Sequence, residues 1–101
     1  MAYKWPDKDK DEILDYSVDW SRFLDTDTIS SASWKINGVS VSAPLSTVEN
    51  LNFQGPTVSG KVATCRLSGG NNHQKYTIQC IIVTGFGLTF ERSILLRISE
   101  K

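Results

Sequence analysis

The 101-residue chain has no surplus of charge of either sign, since 11 Lys and Arg stand against 11 Asp and Glu. Without a basic excess it lacks the electrostatic footprint that draws phosphate backbones or anionic lipid, which argues against nucleic acid and against a membrane surface as partners. No apolar run approaches the roughly 18 residues of a membrane-crossing helix. The opening stretch MAYKWPDKDKDE has no apolar core of a secretory signal, which predicts a protein made and kept in a cytosol-like setting or released by a route other than secretion. Histidine occurs once and cysteine twice, at Cys65 and Cys80, so these types offer three ligands at best and a structural zinc site lacks its fourth.

Catalytic patterns are equally scarce. His73, in the turn GGNNHQK, has no nucleophile beside it. SGG and GFG are not followed by a helix that could turn its N-terminus to a phosphate. Asp7, Asp9 and Asp11 form a D-x-D-x-D run, yet Lys8 and Lys10 separate the acids and the glycine and closing glutamate of a calcium loop are missing. The residue set predicts no enzyme, no metal and no cofactor.

What the chain does have is alternation. Leu14, Tyr16, Val18 and Trp20 are apolar while Asp15, Ser17 and Asp19 are polar, the period of a half-buried strand; a helical face through Ile13, Tyr16, Trp20, Phe23 and Leu24 explains fewer positions. In SASWKINGVSV, Ala32, Trp34 and Ile36 share one face and Asn37-Gly38 supplies a type I′ turn, which predicts a hairpin returning through Val39 and Val41. Residues 42–60 carry Pro, Gly and Asn throughout and predict short edge strands at most. Ala63, Cys65 and Leu67 then lie on one face, Tyr76, Ile78, Cys80 and Ile82 on another, and Leu88, Phe90, Ile94, Leu96 and Ile98 alternate down a last strand broken only at Arg92. The parity turns both cysteines into the core, where unpaired thiols behave as small hydrophobes.

Six or seven short strands at this spacing, with no helix of note, predict an all-β antiparallel sandwich over residues 13–101. Residues 1–12, dense in charge and containing Pro6, predict an extended arm that is flexible when free. Side chains outside the core pattern are the candidates for partner contacts: Tyr3 and Trp5 on the arm, Asp15 and Asp19 on the polar side of the first strand, Arg22 just past it, and Phe86 between two glycines at a reversal. The arm has a second option, folding back on its own domain as an edge strand.

Five stretches in order resemble one family. DKDEILDYSVDWS (Asp9 to Ser21 in particular), DTISS (Asp27 to Ser31), and LSGG, YTI and ERSILLRI (Leu67 to Gly70, Tyr76 to Ile78, Glu91 to Ile98) are similar to the small Ig-like virion proteins of tailed bacteriophages described as fibre-tail adaptors. Residues 37–60 and Trp5 lie outside that pattern. The resemblance implies an Ig-like sandwich with no enzymatic role, placed in the tail or neck region of the virion and assembled in the host cytoplasm. Its implied partners are other tail, neck or fibre proteins and copies of itself in a ring. A capsid decoration protein is the alternative within structural proteins; a carbohydrate-binding module, which needs Trp20, Trp34 or Trp5 exposed on a flat face, is the alternative from another class. Tyr76 is similar to the corner tyrosine of Ig-like folds, whose hydroxyl bonds nearby backbone.

Overall fold

Period-two alternation lays down most of the chain as strands in the computed structural model, which describes residues 3–100; Met1 and Ala2 of the expected arm and Lys101 lie outside the described residues. The strands are β1 (Tyr3–Lys4), β2 (Ile13–Asp19), β3 (Ile29–Ile36), β4 (Val39–Val41), β5 (Leu45–Val48), β6 (Leu51–Ser59), β7 (Val62–Gly69), β8 (Lys75–Thr84) and β9 (Thr89–Arg97), with one helical turn, α1 (Ser21–Leu24). They form two sheets packed face to face, ordered β1-β9-β8-β3-β4 and β2-β7-β6-β5. Among the described residues the strand pairings are antiparallel except that of β1 with β9, which a parallel bridge between Lys8 and Ile98 extends.

The sandwich is therefore the expected one, built from nine strands among the described residues rather than six or seven. Tyr16, Val18 and Trp20 from the first expected strand are buried, with Leu14 half-buried at its start. Asn37 and Gly38 both adopt positive φ (49° and 81°) and Ile36 pairs with Val39, the geometry of a tight type I′ hairpin. Cys65 and Cys80 are buried and unbridged. Burial raises the Cys65 thiol, and pushes that of Cys80 up to about 11, held back by the Trp20 indole and by Arg92.

Two expectations are corrected. Residues 42–60 do not hold only short edge strands: β6 runs for nine residues between β5 and β7 and buries Leu51 and Phe53 completely. Its register shifts between Gln54 and Thr57, so a bulge absorbs Gly55, at φ 57°, and Pro56, whose missing N–H would otherwise break the ladder. Leu88 does not continue the inward face of β9; it lies in the preceding turn and is exposed.

The LSGG stretch has a steric reason. Gly69 (φ 74°) brings its backbone against the neighbouring loop, where a Cβ would stand 2.7 Å from the Asn50 carbonyl oxygen. At Gly70 (φ 102°) a Cβ would stand 2.7 Å from Ile98 Cγ1. Tyr76, fully buried, donates from its hydroxyl to the Glu49 carbonyl at 2.6 Å and accepts from the Asn71 N–H at 2.9 Å. The ring of β8 thus ties the 69–75 turn to the β5–β6 turn of the facing sheet.

Candidate functional site

The arm lies along its own domain. Beyond the β1 pairing of Tyr3 with Ile94, Trp5 N donates to Leu95 O (3.0 Å), Lys8 N to Arg97 O (2.9 Å) and Ser99 N to Lys8 O (2.8 Å). Lys8, one of the charges that the sequence assigns to solvent, is fully buried: its stem packs inside while its ammonium donates to the carbonyls of Asp9 (2.8 Å) and Gly69 (2.9 Å). The acidic run closes as a turn, with Asp9 N on Glu12 Oε1 and Asp11 N on Asp9 Oδ1.

This pairing sets a row of aromatic side chains at the seam between the sheets, where β1 and β2 are the two outer edges. Tyr3 pairs with Ile94, so it turns to the inner face that Ile94 shares with Arg92. Trp5, two residues on, stacks on Tyr16 of β2 at a centroid distance of 4.5 Å. Burial, helped by Glu12 and Cys65, pushes the Tyr16 hydroxyl up to about 12. Next along the seam the Arg92 guanidinium lies over Tyr3 (4.2 Å), Trp20 (5.0 Å) and Phe23 (5.3 Å). Phe90 completes the group, 5.9 Å from Phe23 and 6.4 Å from Trp20.

Arg92 faces inward because it pairs with core residue Cys80 in the β8–β9 ladder. A charge on the core side survives there because the seam is open, and the aromatic rings take the place of part of its hydration. Two adjoining hollows share Tyr3, Asp19 and Arg92: one of about 180 Å³ adds Lys4, Trp5, Ser17 and Val18, and one of about 440 Å³ adds Arg22 and Phe23. Tyr3 (46% exposed) and Phe23 (48%) form the lips. Asp19 Oδ1 accepts the Ser21 N–H at 2.9 Å, and these Ser21 hydrogen bonds hold its carboxyl below the usual range, with Arg92 adding to the effect.

Of the six candidates, the fold brings Tyr3, Trp5, Asp19 and Arg22 to this one cleft. Asp15 points elsewhere, to an exposed ion pair with Arg66 (2.8 Å) on the outer face of β2 and β7, which holds its carboxyl low. Phe86 stands alone at the tip of the β8–β9 turn, 71% exposed. Asp27 anchors that turn by accepting from Thr28 N (2.8 Å) and Phe86 N (3.2 Å). Burial works to raise the Asp27 carboxyl, and hydrogen bonds from Thr84, Thr28, Phe86 and Gly85 outweigh it.

Arg92 and Phe90 belong to the cluster although the sequence does not single them out as contacts. The signal for Arg92 is there, as the one position where the last strand breaks its alternation. Trp20 and Trp34 are buried and offer no platform for a sugar ring. No curated protein matches the chain. A family model described as podophage GP4 fiber-tail adaptor protein gp77 matches residues 8–97.

Proposed function

Because the chain belongs to the podophage GP4 fiber-tail adaptor family, we propose that it is a structural component of the virion tail that joins fibres, or another tail part, to the tail or neck through protein–protein contacts. The family match, which spans all five ordered stretches of the sequence from Asp9 to Ile98 except the last residue, carries this reading.

The mechanism is geometric. A sandwich whose open seam is lined by its own arm presents two separate surfaces, the Tyr3–Trp5–Asp19–Arg22 cleft and the Phe86 tip. Aromatic and arginine side chains are the types enriched among the residues that dominate the energy of protein interfaces, the aromatics because they bury large area at low entropy cost. Asp15 with Arg66 forms a third, polar patch on the outer sheet face suited to a rim contact, and several copies arranged in a ring would set one such surface against the next. No step of this role uses a reaction or a cofactor.

Cryo-electron microscopy of the intact particle, compared with particles made without the protein, tests the reading. Density for the sandwich between tail and fibre, lost together with the fibres in the deleted particle, is the expected result. Density on the capsid shell, or a soluble monomer that never joins a particle, overturns it.

A further inference from the structure

Arg92 is the group whose chemistry is least complete. Among the described residues no hydrogen bond or ion pair reaches its guanidinium; its contacts are the rings of Tyr3, Trp20 and Phe23. Aromatic rings engage a guanidinium through its faces, whereas its N–H donors lie in the plane, in a fork that matches a carboxylate. The side chain is thus held flat and oriented with its donors unspent.

The surroundings add to this. The lining of the two hollows includes three cations, Lys4, Arg22 and Arg92, and one carboxylate, Asp19, which already accepts from Ser21 N. In a chain of balanced charge this is a local positive excess. One wall is Ser17, Val18 and Asp19 of β2, an edge strand of seven residues that pairs with β7 on one side; among the described residues no hydrogen bond reaches its other side. An edge of that kind accepts an added strand through main-chain hydrogen bonds.

We propose that the cleft between β1 and β2 receives an extended acidic segment of a partner tail protein. The main chain of that segment pairs with the free edge of β2, and an Asp or Glu side chain forks onto Arg92. The inference deepens the adaptor reading and rests on it. It assigns Arg92 a part that its core-facing position alone does not explain, and gives the arm one too, since Tyr3 holds the guanidinium in place.

The test uses assembled particles carrying the photo-crosslinker p-benzoylphenylalanine at Phe23, and separately at Phe86. Irradiation followed by mass spectrometry is expected to join position 23 to a segment of another tail protein that contains Asp or Glu. Arg92→Lys keeps a cation over the rings but loses the planar fork, so it is expected to lower that yield by about tenfold, in line with the loss of one charge-assisted hydrogen bond of a bidentate pair, with the melting temperature unchanged. Crosslinks from position 23 to a segment without acids, to the same chain, or to nothing, in particles that contain the protein, overturn the inference and leave the adaptor role standing. So does an Arg92→Lys yield equal to the parent's. Absence of the protein from particles, with position 86 also silent, overturns the adaptor role itself.

Discussion

Tyr76→Phe isolates what one hydroxyl does for this sandwich. The ring is fully buried and stays so, so no cavity opens; what disappears is the donation to the Glu49 carbonyl at 2.6 Å and the acceptance from the Asn71 N–H at 2.9 Å. A net hydrogen bond contributes about 1 kcal/mol, and a buried group left unmatched costs about 1–3. Glu49 is exposed and Asn71 half-exposed, so water can reach both loops and the lower end applies; we expect a loss of about 1–2 kcal/mol. With an unfolding entropy of about 2.1 cal/mol/K per residue over a chain of this length, that is a fall of about 5–10 °C in melting temperature. Differential scanning calorimetry measures it, and the denaturant midpoint should drop with an unchanged slope. A shift below about 2 °C would show that the tie between the two turns is decorative, and would refute the reasoning.

Three further outcomes follow from the same packing. Gly69→Ala should cost clearly more stability than Gly87→Ala by chemical denaturation, because both residues have positive φ but only the Gly69 Cβ meets backbone, at 2.7 Å from Asn50 O, whereas nothing lies within 4 Å at Gly87. The buried thiols of Cys65 and Cys80, both raised by burial, should stay unreactive towards a thiol reagent at pH 8 until the protein is unfolded; fast reaction of the native protein would contradict their packing. The Asp27 carboxyl is held below its usual value in the folded state, so its contribution is present above the unfolded value, near 3.8, and is lost as pH falls through the folded one. Asp27→Asn should therefore be less stable than the parent at neutral pH and should lose less on acidification below about pH 4; an identical acid limb for the two would exclude Asp27 as a contributor.

The features legible in the sequence are those written in local pattern. β2 and the Asn37-Gly38 hairpin follow from alternation and turn chemistry within a dozen residues, and so does the inward parity of Cys65 and Cys80. β6 was illegible because Gly55 and Pro56 are strand breakers in isolation, and only the shifted register against β7 shows how a strand accommodates them. The cleft was half legible: Tyr3, Trp5, Asp19 and Arg22 stand out as residues without a core position, but what gathers them is the pairing of β1 with β9, a contact between opposite ends of the chain that no periodicity encodes. Lys8 gave no sign at all, since a lysine among alternating charges looks solvated until two carbonyls are found around its ammonium.

The pairing of arm and last strand also has a mechanical side. The first and last described segments run in the same direction and are bonded at Trp5–Leu95, Lys8–Arg97 and Ser99–Lys8, so Tyr3 and Ser99 lie at opposite ends of that ribbon. Tension applied between them would slide one segment past the other and load these bonds together, as a lap joint is loaded in shear. An antiparallel ribbon pulled from its adjacent ends opens instead like a zipper, one bond at a time. Since rupture under force is governed by the unfolding rate, a connector pulled through these two segments would carry its load at this joint, and the strands and loops behind it would feel no tension until the joint gave way.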